Sequence, residues 1–245
     1  MDNKITYIDL KNINPHVRIS RINFLNSEFS TGYRMIYHHQ MLYIYGGCGE
    51  IEVEGVCYKA SKGDLFYWGP AQKHKIMSDA KKPLVILGVQ FDFTRNHEDK
   101  SYLLEFTSAE HFDYGEIHEM IRFHDFEGFK PYTKVYNCSE AEKQLLEIAN
   151  ECKTQKRFYS ERMSAIFKAF LIMIVRQTLA EPLREEEHQN LVDKVIQYIH
   201  EHYEKPLTNQ EIAHIYNFHP NYINKLMVIY TGLSLHQYIL RCEDE

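Results

Sequence analysis

Six side chains in the first third of the chain could bind a small polar molecule. They are Arg34, His38, Gln40, Tyr43, Trp68 and His74. Tryptophan and tyrosine rings can stack on a sugar face, while imidazole, amide and guanidinium groups form hydrogen bonds, a mixture typical of small-molecule pockets. Each of the six could also be a half-buried strand residue with a satisfied polar end. The sequence leaves this open because the strand register is not known.

Four side chains near the end of the chain could read DNA. They lie within residues 220–229 and are Asn221, Tyr222, Asn224 and Lys225. An asparagine amide can form two hydrogen bonds to adenine, and a lysine ammonium can reach guanine or a phosphate. Such contacts require the residues to lie on one exposed helix face in a major groove.

No set of residues predicts catalysis. The 14 histidines are scattered, and neither a recognisable Ser-His-Asp signature nor a glycine-rich phosphate loop is present. The spacing of His111, His118 and His124 does not suit one helix face, so solvated or capping roles are predicted for them. We expect no enzymatic activity, no catalytic residue and no cofactor.

Two short helical patterns must position the DNA-reading residues. The first opens with a capping box formed by Thr208 and Glu211 and ends at Asn217, which tolerates a left-handed backbone. The second begins at Pro220, a residue suited to the first helical position, and ends before Gly232. Two helices joined by a tight corner indicate a helix-turn-helix. A helical hairpin in an unrelated bundle would give a similar pattern.

Residues 207–213, 218–226, 232–234 and 237–239 together resemble the first helix-turn-helix of the AraC/XylS family of transcription regulators. The resemblance implies operator DNA and a small-molecule effector as partners, and a homodimer as the functional state. Family members carry a second helix-turn-helix after a long helix that would begin near Tyr238. Here an acidic segment follows Cys242, so we expect a truncated gene, a frameshift or an artificially shortened chain.

Residues 32–76 resemble the cupin-like sensor domain of many such regulators, through Gly63-Asp64-Leu65, Pro70 and His74. The resemblance implies a β-barrel that holds the effector, for which a sugar is one candidate.

A cupin metal site would add a second histidine and a carboxylate to this segment, because imidazole and carboxylate groups together hold a divalent ion. Gly32 and His38 fit the spacing of the first histidine. The second position is Gln40, and Ile44 and Tyr45 occupy the carboxylate positions. We therefore expect no bound metal.

The composition is ordinary for a globular protein. The 245 residues are 44% hydrophobic, the net charge is −6, and the five cysteines show no close pair, which predicts reduced thiols. The N-terminus has no signal-peptide pattern, and the longest apolar run, residues 169–175, is far shorter than the roughly 20 residues that cross a bilayer. We expect a cytoplasmic protein without membrane association.

The patterns predict an α+β fold in four segments. Residues 1–135 form a cupin-like effector-sensing β-barrel with strands at 17–25, 33–38, 41–45, 50–53, 64–68 and 84–93. Residues 136–182 form a helical dimerisation segment, in which a capping box of Ser139 and Glu142 starts the first helix. Residues 183–190 are a solvated linker, and residues 191–245 form an incomplete, all-α DNA-binding unit. The predicted dimer surface consists of Phe167, Phe170, Leu171 and Ile174.

The sequence therefore predicts a ligand-responsive, AraC-type transcription regulator. From residue 190 onward four basic residues stand against seven acidic ones, a balance of −3, which predicts weak DNA binding by this unit alone. Two alternatives remain. One is a ligand-binding or dimerising protein without effective DNA binding, which the acidic end favours, and the other is a metal-dependent cupin enzyme, which Gln40 disfavours.

Overall fold

The computed structural model describes residues 5–99, 107–205 and 207–243. The chain divides into two compact units, Met1–Gln177 and Thr178–Glu245. Residues 244 and 245 of the acidic end lie outside the described residues.

The first unit contains twelve described strands and two helices. The strands are β1 (Ile5–Ile8), β2 (His16–Phe24), β3 (Arg34–Met35), β4 (His39–Gly46), β5 (Cys48–Val53), β6 (Val56–Ser61), β7 (Asp64–Trp68), β8 (His74–Ser78), β9 (Val85–Asp92), β10 (Thr107–Ser108), β11 (Met120–Phe123) and β12 (Tyr132–Lys134). The helices are α1 (Cys138–Thr154) and α2 (Tyr159–His202), and α2 continues into the second unit. Short 3-10 turns lie at Leu10–Asn12, Ala109–His111 and Tyr114–Glu116.

Ten of these strands form two antiparallel sheets. The first sheet has the order β12-β7-β4-β9-β2, and the second has the order β10-β3-β8-β5-β6. Leu42 and Ile44 of the first sheet share one buried cluster with Ile51 and Val53 of the second. The predicted barrel is therefore a β-sandwich, in which two separate sheets pack on a common core.

A tight hairpin turn shows why a glycine is needed between β5 and β6. Glu54 and Gly55 join β5 to β6 with φ angles of 50° and 80°. Two consecutive positive φ angles match a type I′ turn, whose twist suits a two-residue hairpin and which favours glycine. The turn fixes the pairing of Val53 with Val56.

The outer face of the first sheet is covered by the two helices. Met41 and Tyr43 alternate with the inward residues of β4 and share a second buried cluster with Leu145 of α1 and Phe170 of α2. The helix α1 begins at a cap formed by Asn137, whose side chain accepts a hydrogen bond from the backbone N–H of Glu140. The N-cap residue of α1 is therefore Asn137, two residues before the predicted Ser139.

The residues predicted as a dimer surface lie in this second cluster. Phe167, Phe170 and Leu171 are 0% exposed and Ile174 is 1% exposed. The sheet of the same chain supplies the cover that their apolar side chains require, so they offer no free face to a partner. The interface assignment is wrong, and the homodimer stays a prediction without it.

The predicted linker, residues 183–190, lies inside α2. Pro182 and the acidic run that follows it do not interrupt the helix in the structure. By length and composition alone, the helix also contains a segment long and apolar enough to cross a membrane. Its residues Phe167 and Phe170 are core residues of the first unit.

In the second unit, α2 is followed by α3 (Asn209–Ile215), α4 (Pro220–Thr231) and α5 (Leu235–Glu243). The predicted capping box is confirmed, since Thr208 and Glu211 bond to each other's backbone N–H groups. Asn217 has a φ of 57° in the turn after α3, and Gly232 ends α4 with a φ of 76°, as the sequence predicts. Residues from all four helices share one buried cluster.

Candidate functional site

A cavity of about 410 Å³ lies against the inner face of the first sheet. Residues of β2, β4 and β9 line it from one side, and residues of β3, β8 and the β2–β3 loop complete it. The polar lining residues are Arg21, Asn23, Thr31, Arg34, Gln40 and Gln90. The remaining lining residues are Ile19, Ile22, Phe24, Leu25, Phe29, Leu42, Ile76, Ile86 and Gly88.

The strand register explains how these residues meet. Gly88 of β9 pairs with Arg21 of β2 on one side and with Leu42 of β4 on the other. A Cβ atom on Gly88 would lie 3.5 Å from Gln40 Nε2, an ordinary contact, and Gly88 has no positive φ. A larger side chain at residue 88 would therefore extend into the cavity without straining the backbone.

The cavity is electropositive. It is lined by Arg21 and Arg34, and the described lining residues include no aspartate or glutamate. Burial and the charge of Arg21 lower the pKa of Arg34 to about 10, so the Arg34 guanidinium group stays protonated at neutral pH.

Two buried amides add hydrogen-bonding groups. Gln40 is 4% exposed, and its Oε1 atom has no hydrogen-bond partner among the described residues. Gln90 Oε1 lies 3.1 Å from His38 Nε2. Burial lowers the pKa of His38 to about 3, so the ring is neutral and must donate from Nε2 to the amide oxygen.

The structure brings only two of the six predicted ligand-binding residues to this cavity, Arg34 and Gln40. His38 does not line the cavity but contacts the lining residue Gln90. Trp68 and His74 stack on each other with ring centroids 4.3 Å apart, and both are fully buried.

Tyr43 lies on the opposite face of the sheet, where its hydroxyl donates to Glu142 Oε1 at 3.0 Å. Its inclusion in the predicted pocket is wrong, because odd-numbered residues of this part of β4 face the helices. Arg21, Asn23 and Gln90 were missed, since polar residues that alternate with apolar ones on a strand usually indicate the solvent face.

The described residues do not fit a cupin metal site. Within the described parts of the chain, no group of three or more histidine, cysteine, aspartate or glutamate side chains is arranged to hold a metal ion. His38 bonds to Gln90, while His74 Nδ1 lies 3.1 Å from the backbone oxygen of Gln72.

A buried ionic group lies beyond His38. Asp92 accepts a 2.6 Å hydrogen bond from Arg18 Nε, and its Oδ1 lies 3.2 Å from His118 Nδ1. Although burial raises the pKa of Asp92, the His118 hydrogen bond and the Arg18 charge dominate and lower it to about 2. His118 is 6% exposed, so its predicted solvated or capping role is wrong, whereas His111 and His124 are exposed.

The predicted DNA-reading residues of α4 divide into two pairs. Asn221 and Lys225 are exposed, four residues apart on one helix face. Tyr222 is half-buried and its hydroxyl lies 2.9 Å from His188 Nε2, while Asn224 Oδ1 accepts a hydrogen bond from the backbone N–H of Leu235. The side chains of Tyr222 and Asn224 therefore form hydrogen bonds within the second unit.

No protein-family model matches the chain, and no curated protein matches it. Solved cupin structures match about a third of it. A cupin protein from Bacteroides fragilis is 21% identical, covering 30% of this chain and 64% of that one with a TM-score of 0.28. An RmlC-like cupin from Shewanella frigidimarina is 17% identical, covering 34% and 71% with a TM-score of 0.28. A salicylate 1,2-dioxygenase from Pseudaminobacter salicylatoxidans is 17% identical, covering 37% and 25% with a TM-score of 0.30. Likenesses of this size say nothing about what the chain binds or does.

Proposed function

We propose that the chain is a cytoplasmic, homodimeric transcription regulator of the AraC type. In this proposal the cupin-like sandwich binds a small-molecule effector, and α4 enters a major groove of operator DNA as the recognition helix of a helix-turn-helix. The proposal assigns no catalytic step to either unit.

The arrangement of α3 and α4 carries the proposal. The capping box at Thr208 starts α3, the left-handed residue Asn217 turns the chain, and Pro220 starts α4. Ile212 and Ala213 of α3 pack in the same buried cluster as the apolar face of α4. This order of elements leaves the first turns of α4 exposed at Asn221 and Lys225, the part of a recognition helix that contacts base edges.

The cavity of the sandwich supports the sensing half of the proposal. It is lined by strands of both sheets, has a volume in the range of small-molecule sites, and combines apolar walls with a few polar groups. The residues that line the cavity are separate from those that would contact DNA.

The test is a selection from random-sequence duplexes with the full chain at about 50 mM salt, where phosphate attraction is strong. Anisotropy measurements on the enriched duplex then compare wild type with Asn221→Ala and Lys225→Ala. We expect Asn221→Ala to lose about 1–3 kcal/mol of discrimination at one base position. Lys225→Ala should weaken binding as well.

The matched control is Lys59→Ala, which removes an exposed lysine from β6 and should leave binding unchanged. Enrichment of no sequence over the starting pool would contradict the proposal. Equal binding by wild type and both α4 variants would contradict it too.

A second candidate is a ligand-binding or dimerising protein without effective DNA binding. The −3 balance from residue 190 onward favours it, because phosphate attraction supplies much of the affinity of a DNA-binding unit. The internal bonds of Tyr222 and Asn224 favour it also, since they remove two of four predicted contacts. The selection from random-sequence duplexes separates the two candidates. Enrichment of a duplex favours the regulator, and no enrichment favours the protein without effective DNA binding.

A further inference from the structure

We propose that the cavity of the sandwich binds a small organic acid with an apolar body and one hydrogen-bond donor. Its carboxylate would face Arg21 and Arg34, and its donor would reach Gln40 Oε1. Only the description of this acid as an effector rests on the proposed function, because binding to the sandwich requires no DNA.

The charges in the cavity favour an anion. Arg21 and Arg34 line the same space, and the positive charge of Arg21 disfavours that of Arg34. A bound carboxylate would relieve this repulsion and accept charge-assisted hydrogen bonds, for which the planar guanidinium group is well suited.

Gln40 favours a ligand that also carries a hydrogen-bond donor. Its Oε1 atom is buried and has no described protein partner, and leaving such an acceptor unsatisfied costs free energy. A hydroxyl or N–H group on the ligand would satisfy it. Gln90 has less need of such a donor, because its own Oε1 already accepts one hydrogen bond from His38.

The apolar walls disfavour a sugar, which would need hydrogen-bond partners for most of its hydroxyl groups. Leu42, Ile76 and Ile86 supply hydrocarbon surface from both sheets, and Phe29 adds an aromatic ring from the loop. Trp68, one of the rings on which a sugar was expected to stack, is absent from the lining.

The experiment pairs acids with neutral copies of the same shape. The panel is 4-hydroxyphenylacetate, 4-hydroxybenzoate, mandelate and 2-hydroxyhexanoate, each with its carboxamide, together with glucose as the sugar probe. Calorimetry and thermal shift are measured on the full chain in the absence of DNA. We expect at least one acid to bind about tenfold or more tightly than its amide, since hydrogen bonds to charged groups are the stronger ones.

Three variants locate the site. Arg34→Gln should weaken the binding acid about tenfold or more, and Gln40→Leu should weaken it by less. Gly88→Leu should fill the cavity and abolish binding, with circular dichroism as the check that it folds. Arg122→Gln is the control, because Arg122 is exposed on β11 and does not line the cavity.

Binding of no acid in the panel would overturn the inference. So would equal affinity for acids and amides, tighter binding of glucose, or an unchanged affinity in Arg34→Gln. Each of these results leaves the DNA selection unaffected. Acid binding without any selected DNA would instead contradict the proposed regulator and retain the ligand site.

Discussion

Asn224 Oδ1 accepts a 3.0 Å hydrogen bond from the backbone N–H of Leu235, the first residue of α5. The first N–H groups of a helix have no partner within the helix, so this side chain satisfies one of them. Ser234 and Gln237 bond to each other's backbone N–H groups and satisfy two more. A residue predicted to read DNA is therefore a structural connection between α4 and α5.

Asn224→Ala should destabilise the second unit by about 1–2 kcal/mol, because it leaves the Leu235 N–H without its acceptor. Urea unfolding measures this change. Asn224→Asp is the control that keeps an acceptor oxygen and should retain most of the stability. An alanine variant as stable as wild type, with altered base preference, would show that Asn224 contacts DNA after all.

Lys225→Ala should reduce the salt dependence of DNA binding. If Lys225 contacts a phosphate, the slope of log K against log salt should fall by about 0.9. The −3 balance of the unit predicts that wild-type binding is already weak and falls steeply with salt. Anisotropy titrations across a salt series test this, and a slope identical to that of wild type would exclude a phosphate contact by Lys225.

Phe170→Ala should destabilise the first unit by about 3–5 kcal/mol, as is usual when a buried aromatic ring is removed. Phe170 is fully buried, with its ring 5.9 Å from that of Phe167. Leu179→Ala, at a residue of the same helix that is 58% exposed and lies at the start of the second unit, should change the stability of either unit by less than about 0.5 kcal/mol. A folded Phe170→Ala monomer with wild-type stability would instead support the dimer surface predicted from sequence.

Stability should fall as the pH decreases from about 6.5 to about 4. Burial lowers the pKa of His38 to about 3, of His39 to about 4 and of His74 to about 3, from an ordinary value of 6.5. The unfolded chain therefore binds protons in this range while the folded chain does not, and each histidine contributes up to about 1.4 kcal/mol per pH unit.

His74→Phe should make this pH dependence shallower, since phenylalanine keeps a ring against Trp68 but does not titrate. Urea unfolding at a series of pH values measures the slope. Above about pH 7 the three histidines should contribute no slope, which provides the internal reference. A slope unchanged by His74→Phe would mean that His74 is already protonated in the folded chain, or that it is not buried.

The sequence by itself determined the elements of the second unit whose ends depend on local bonds. Thr208 and Glu211 are three residues apart, Pro220 fits the first position of α4, and Gly232 adopts the left-handed conformation that ends it. Interactions within four residues decide such features, so their spacing in the chain is sufficient. The sequence did not predict β8. Among its buried residues only Ile76 is apolar, so the strand lacks the alternation of apolar and polar residues that would have indicated it.

Only the tertiary structure decided which polar side chains share a cavity. Arg21, Gln40 and Gln90 lie far apart in the chain and meet because β2, β9 and β4 pair in one register. A shift of one residue would turn each to the opposite face, where Tyr43 lies. Long-range pairing also covers Phe170 with a sheet of the same chain, which no local pattern on α2 can specify.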